Sequence, residues 1–285
     1  MIALQEIAAA AAAKVTTADK ERTLRSLMRK LQRVLVAYSG GVDSSYLAKI
    51  ATEELGEDAA CVIGLSPSVS QYQRENALRI ARANGFNIRT LETYELSDPN
   101  YAANAGDRCY FCKSELYSKL SEAAAETNAV ILDGTNADDL GGHRPGLTAA
   151  REHAVRSPLA ELGFTKSEIR ELSRAAGLET WDQPAAPCLS SRVAVGVPVT
   201  LERLSRIERA EEVLRSLGFV EFRVRVHDDL ARVEISPAEL QAALNITTAA
   251  AIARELKAIG FKFVTLDLEG FRSGSLNVSD NTVKN

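Results

Sequence analysis

The sequence predicts an α/β protein: a parallel sheet with helices on both faces, followed by a small C-terminal α+β domain. Three observations carry this. The runs Val34-Leu35-Val36-Ala37-Tyr38, Ala60-Cys61-Val62-Ile63-Gly64-Leu65 and Ala129-Val130-Ile131-Leu132 are apolar without polar alternation, as strands buried on both faces are. Helical patterns lie between them, over Val69 to Asn84 and Cys112 to Thr127, and supply the crossovers of a parallel sheet. After about Val193 the text changes. Val220-Glu221-Phe222-Arg223-Val224-Arg225-Val226 alternates strictly, with Glu221, Arg223 and Arg225 on the face opposite the apolar one.

In chain order, residues 1–30 form an alanine-rich helical arm, with the run Ala8 to Ala13 and a solvated basic face of Arg22, Arg25, Arg29 and Lys30. Residues 31–193 form the α/β domain. Within it, Thr165-Lys166-Ser167-Glu168 is a capping box that opens a helix through Ile169 and Leu172 to Gly177. Residues 194–272 form the α+β domain. His227-Asp228-Asp229 turns into a strand Leu230 to Ile235, Pro237 lies near a helix start, and Phe261 to Leu268 is a last strand. Residues 273–285 are a polar tail.

Composition narrows the function. The 285 residues, 46% hydrophobic and 25% charged, suit one large globular domain or two smaller ones. No apolar run approaches the roughly 18–20 residues that cross a bilayer, and Glu6 interrupts an N-terminal stretch without a basic leader. A net charge of −4 and a pI near 5.6 argue against broad binding of nucleic acid. Four cysteines are too few for a disulfide scaffold in a chain this long. A cytoplasmic protein with reduced thiols is the expectation.

Ser39-Gly40-Gly41-Val42-Asp43-Ser44-Ser45 follows a buried strand and opens a helix. Two glycines allow close approach of a ligand to the backbone, and a helix start presents unpaired N–H groups. No lysine follows as in a Walker A loop, and the G-x-G-x-x-G spacing is absent. The plain alternative is a glycine-rich turn with Asp43 or Ser44 as N-cap.

This segment resembles the signature of the PP-loop ATP pyrophosphatases, whose fold is adenine nucleotide alpha-hydrolase-like. The resemblance implies that Ala37, Ser39, Gly40, Gly41, Asp43, Ser44 and Ser45 hold the pyrophosphate part of ATP while a substrate oxygen attacks the α-phosphate. It also implies that Asp43 helps to hold Mg²⁺, that Gly64 and Ser66 border the adenosine, and that Gly134 and Thr135 line the same sheet edge. Asp138 is a second Mg²⁺ candidate. The alternative for Asp138 and Asp139 is a hydrogen-bonded turn and helix cap.

The cysteines choose among adenylating enzymes. Arg108-Cys109-Tyr110-Phe111-Cys112-Lys113 contains a C-x-x-C, and Trp181 to Arg192 contains Pro187-Cys188-Leu189-Ser190-Ser191. With the loop, these stretches resemble the ATP-dependent sulfur transferases that make pyridinium-3,5-bisthiocarboxylic acid mononucleotide, the LarE family, over about residues 20 to 270. The resemblance implies adenylation of the carboxylates of a pyridinium-3,5-biscarboxylic acid mononucleotide, followed by sulfur attack, with AMP and pyrophosphate released. In one branch the cysteine matching Cys188 gives up its own sulfur and becomes dehydroalanine. In a second branch three cysteines, here Cys109, Cys112 and Cys188, hold a [4Fe-4S] cluster that carries an exchangeable sulfide. Zinc on the same cysteines with His143, His153 or His227, and a thioredoxin-like pair, are alternatives. Cys61 lies inside an apolar strand and belongs to the core.

The implied substrate is anionic, and arginine forks bind carboxylate and phosphate oxygens. Arg223 and Arg225 resemble the family's phosphate-holding pair, against the alternative of a solvated strand face; Arg192 is a further candidate. Trp181 either stacks on a ring or packs in the core. The implied partners are a sulfide or sulfur donor, a downstream nickel-inserting enzyme of the nickel-pincer nucleotide route, and further copies of this chain as a homo-oligomer. Rival readings are a tRNA thiolase, an ammonia-using adenylating synthetase and an inactive nucleotide-binding module.

Overall fold

A computed structural model describes residues 15–141 and 144–272; the Ala8–Ala13 run, His143 and the tail from Ser273 lie outside them. The elements follow in order: α1 (Thr17–Leu31), β1 (Val34–Ala37), α2 (Val42–Leu55), β2 (Ala59–Leu65), α3 (Gln71–Ala83), β3 (Asn87–Glu92), α4 (Arg108–Thr127) and β4 (Val130–Leu132). Then come α5 (Pro145–Glu152), α6 (Lys166–Ala175), α7 (Leu201–Ser216), β5 (Phe222–His227), β6 (Leu230–Ile235), α8 (Ile246–Ile259) and β7 (Phe263–Leu266). Short helical turns fill some connections, among them Pro99–Ala103, Ala137–Leu140 and Leu189–Arg192. None of the described helices is long and apolar enough to cross a membrane.

The chain forms two compact units. The first takes the residues up to Leu65, then Tyr72–Thr93 and Lys113–Ala185. Its sheet runs β3-β2-β1-β4, parallel throughout, with Val36 opposite both Cys61 and Leu132. Helix α2 is buried nearly all round, through Val42, Tyr46, Leu47, Ala48, Ile50 and Ala51, as a helix central to its unit must be. Burying a side chain such as Leu47 or Ile50 contributes about 1.5–3 kcal/mol. The three apolar runs are strands, as expected. The edge strand β3 was not expected, because Arg89, Thr90 and Glu92 give it an exposed, polar text.

Helix α1 buries Leu24 and Met28, while Arg22, Arg29 and Lys30 lie exposed on its solvated face as expected. Arg25 pairs with Glu21, Glu53 and Glu54, and Arg29 with Glu54. The Thr165 capping box forms as expected, with Thr165 and Glu168 bonding each other's backbone N–H groups.

The second unit takes Ser66–Gln71, Tyr94–Cys112 and the chain from Ala186 on. Its sheet runs β5-β6-β7, with β5 and β6 antiparallel and β7 parallel to β6. Phe222, Val224 and Val226 face a core shared with Leu204, Ile207 and Leu214 of α7 and Leu256 of α8. The opposite face differs from the solvated alternative: Arg225 and Glu234 are also buried there, as an ion pair.

Candidate functional site

In the first unit, β1 ends at Ala37 and the chain enters α2 through Gly41 as N-cap. Gly40 has φ +75°, and a Cβ there would sit 2.6 Å from the Ala77 Cβ and 2.8 Å from its Cα. Only glycine satisfies both conditions. The loop is laced internally: Ser39 Oγ lies 3.1 Å from Ser44 Oγ, Ser39 N–H donates to Ser44 Oγ at 3.3 Å, and Ser44 Oγ donates to Gly41 O at 3.2 Å. The first N–H groups of α2 have no carbonyl a turn earlier and so face outward for an anion. Ser45 is placed otherwise, fully buried, with its hydroxyl 3.5 Å from the Tyr38 hydroxyl.

The turn after β4 closes on the same helix start. A Cβ on Gly134 would meet Ser44 N at 2.9 Å. Asp133 fixes this turn from within: its buried carboxylate accepts from Thr135 N–H, Thr135 Oγ1, Tyr117 Oη and Ser157 Oγ. Gly64 is also tightly placed, since a Cβ there would lie 3.1 Å from Leu116 Cδ1.

Asp43, in the first turn of α2, has partners that the sequence did not reveal. Lys166 Nζ stands 2.6 Å from its Oδ2, and Asn136 Nδ2 donates to its Oδ1 at 3.3 Å. Asp138 Oδ2 accepts from the Lys166 backbone N–H at 2.7 Å, at the head of α6. Asp139 closes a second capping box with Asn136. One carboxylate together with nucleotide phosphates is the usual ligand set for Mg²⁺, and Asp43 fits it. Trp181 carries the Arg174 guanidinium 5.0 Å from its ring centre, and its carbonyl accepts from Arg170.

The second unit carries all three candidate cysteines of the sulfur chemistry. Helix α4 starts at Arg108, four residues before the expected start, so Cys109 and Cys112 share its first turns, with Cys109 exposed and Cys112 half-buried. Cys188, half-buried, is the residue before the turn Leu189–Arg192. The backbone around it is held on every side. Arg192 donates to Pro187 O at 2.6 Å and Cys188 O at 2.9 Å, and clamps Glu211 with its other nitrogens. Arg225 donates to Ser191 O at 2.7 Å, Arg108 to Ser190 O at 2.9 Å, and Leu189 N–H to Ser68 O at 2.7 Å. Ser66 has its hydroxyl 2.6 Å from Ser68 Oγ, which donates to the buried Glu95.

Arg192 and Arg225, expected to hold the substrate anion, are thus buried braces of the Cys188 turn, with Glu211 and Glu234 as counter-charges. Arg223 remains half-buried, its guanidinium 4.7 Å from the Phe271 ring centre. Burial first, then the positive charge of Arg192, push it down to about 10, with Arg225 adding to the effect and Glu211 and Glu221 opposing it. Cys61 is core, as expected; burial pushes its thiol up to about 12.

Among the described residues no three His, Cys, Asp or Glu side chains gather as a metal site, and neither the cluster nor the zinc alternative has a formed cage. The cysteines are free thiols.

No family model matches the chain. It is 44% identical over 260 residues to an uncharacterized protein of Synechocystis sp., covering 91% of this chain and 97% of that one. It is 38% identical over 264 residues to the pyridinium-3,5-bisthiocarboxylic acid mononucleotide synthase of Lactiplantibacillus plantarum, covering 92% and 95%. At greater distance it is 30% identical over 207 residues to one component of the glutamine-hydrolyzing GMP synthase of Thermoplasma acidophilum, covering 64% and 63%. Close kinship along almost the whole chain, added to the glycine loop and the braced Cys188 turn, assigns the protein: it belongs to the LarE family of sulfur transferases, adenylating enzymes of the PP-loop superfamily.

Proposed function

We propose that the protein uses ATP to convert the carboxylates of pyridinium-3,5-biscarboxylic acid mononucleotide to thiocarboxylates, with Cys188 as the reacting sulfur. Support comes above all from the Cys188 turn, where Arg192, Arg108 and Arg225 donate to the carbonyls of Cys188, Ser190 and Ser191 around one half-buried thiol. A substrate carboxylate oxygen attacks the α-phosphate and pyrophosphate leaves. The N–H groups of α2, the Ser39 and Ser44 hydroxyls and the Lys166 ammonium receive the charge on the leaving group. Asp43 would hold Mg²⁺, which neutralises phosphate charge when bound.

The Cys188 sulfur then attacks the activated carbonyl carbon and AMP leaves. Loss of the Cys188 α-proton breaks its Cβ–Sγ bond, giving the thiocarboxylate and a dehydroalanine. Arg223 binds the phosphate of the mononucleotide. The product serves a nickel-inserting enzyme, and the protein works in the cytoplasm as a homo-oligomer.

A second reading has the three cysteines hold a [4Fe-4S] cluster that is resupplied by a sulfur donor. The placement of all three cysteines in the second unit favours it, but the thiols would have to draw together. The test is Cys188→Ala with ATP and the mononucleotide: pyrophosphate release should persist and thiocarboxylate should vanish. Normal product from this variant would sink the reading. Iron and acid-labile sulfide in protein purified without oxygen separate the two sources, and a Cys188 that has lost the elements of H₂S after one turnover marks the sacrificial one.

A further inference from the structure

The segment from Tyr101 to Arg108 acts as a splint for the Cys188 turn. The Tyr101 hydroxyl lies 2.7 Å from Ser190 Oγ. Asn104, buried and in the left-handed region at φ 54°, donates from its side-chain amide to Ala194 O at 2.8 Å and Val197 O at 3.0 Å. Its own carbonyl accepts from Gly196 N–H, and Ala102 O accepts from Val199 N–H. Arg108 completes the splint. Its NH1 nitrogen donates to Asn104 Oδ1 at 2.7 Å and to Ser190 O at 2.9 Å.

Arg108 differs from the other two braces in where it stands. Arg192 belongs to the turn itself and Arg225 to β5, whereas Arg108 is the first residue of α4 and directly precedes Cys109. One side chain therefore ties the helix that carries Cys109 and Cys112 to the turn that carries Cys188. The bonded carbonyl belongs to Ser190, which is fully buried and also accepts from Val193 N–H, so removing the guanidinium takes away one of its two donors.

We propose that Arg108 is a positioning residue for sulfur transfer, holding the Cys188 turn and the start of the C-x-x-C helix in one register through its shared bonds to Asn104 and Ser190. The proposal rests on the reading of Cys188 as the reacting sulfur. It separates the two halves of the reaction, because the splint and all three of its cysteines belong to the second unit whereas the phosphate loop belongs to the first.

The experiment compares full-length wild type, Arg108→Ala, Arg108→Lys and Cys188→Ala. In Arg108→Ala, pyrophosphate release with ATP and the mononucleotide should stay within about twofold, while thiocarboxylate formation falls about a hundredfold, the scale of a misplaced reacting group. Arg108→Lys keeps the charge but can reach only one acceptor well, and should fall between. Amide hydrogen exchange at Leu189 to Val193 should quicken about tenfold in Arg108→Ala with β1 and α2 unchanged. Thiocarboxylate formation at the wild-type rate in both Arg108 variants overturns the proposal. So does an equal fall of both half-reactions together with a lowered Tm, which would make Arg108 a general stability residue. If Cys188→Ala still transfers sulfur, the reading of the reacting thiol has failed by itself, and that result is distinct from either Arg108 outcome.

Discussion

Lys166 Nζ stands 2.6 Å from Asp43 Oδ2 although the two residues are 123 positions apart in sequence. The phosphate loop, which lacks the lysine of a Walker A motif, thus obtains a cation from the head of another helix. Lys166 is the first residue of α6, placed by the Thr165 cap and by its own N–H bond to Asp138. It is half-buried and next to the residue that would hold Mg²⁺, so it can follow the charge of the phosphates.

Lys166→Ala should therefore lower the rate of pyrophosphate release about 10- to 100-fold, the scale of one charged hydrogen bond. Thermal stability should fall by no more than about 1 kcal/mol, the scale of one partly exposed ion pair. Lys166→Arg should restore part of the rate. An unchanged rate in Lys166→Ala would remove the lysine from the phosphate site.

Gly40→Ala meets two obstacles, a left-handed φ and the Ala77 Cβ at 2.6 Å. It should cost about 1–3 kcal/mol of stability and abolish ATP binding. Adding Ala77→Gly removes the nearest atom but leaves the Cα at 2.8 Å and the positive φ, so the double variant should regain only part of the stability. Full rescue, read by chemical denaturation, would show that backbone conformation contributes nothing.

Arg223 is held at a cost in the free protein. Its guanidinium loses protons more readily folded than unfolded, so below about pH 10 the charge weakens the native state, and that penalty fades as pH rises through this value. Arg223→Met should leave Tm unchanged or raise it, while the KM for the mononucleotide rises about 10- to 100-fold. A lowered Tm with an unchanged KM would mean that the residue is structural.

Glu168 gives the opposite sign. Burial pushes its carboxyl up, but hydrogen bonds from Lys20 and Thr165 outweigh burial and hold it below 4.5. A lowered acid contributes stability above its unfolded value, and this is lost as pH falls through the folded one. Glu168→Gln should cost about 1–2 kcal/mol at pH 7 through the cap and the Lys20 pair. The variant should also lose less stability than wild type on acidification below pH 4.5. Parallel acid curves for the two proteins would contradict this.

Strands β1, β2 and β4 were legible because burial on both faces leaves an unbroken apolar text. Strand β3 was not, since Arg89, Thr90 and Glu92 give it a polar, largely exposed text that resembles a loop. The glycine loop was legible as a local motif. Lys166 was not, because a lysine at the start of an amphipathic helix looks solvated and its partner is remote in sequence. Arg192 and Arg225 show the same limit. Charged residues are expected outside, and nothing in the text announces the counter-charges Glu211 and Glu234 that bring them in. The early start of α4 was hidden because Cys109, Tyr110 and Phe111 look like a motif before they look like a helix.

The second unit is stitched from three stretches of chain, Ser66–Gln71, Tyr94–Cys112 and everything from Ala186 onward. On the ribosome the first two emerge well before their partners. At ~5–20 residues per second, Cys109 and Cys112 precede the Cys188 turn by on the order of ten seconds. During that interval Tyr101 and Asn104 have no Ser190, Ala194 or Val197 to bind, and Gln71 has no Glu208. A nascent chain stopped at residue 185 would carry its paired thiols on an unfinished scaffold, open to oxidation and proteolysis. The Cys188 turn can therefore be braced only once Glu211 and Arg225, further along the chain, have been made.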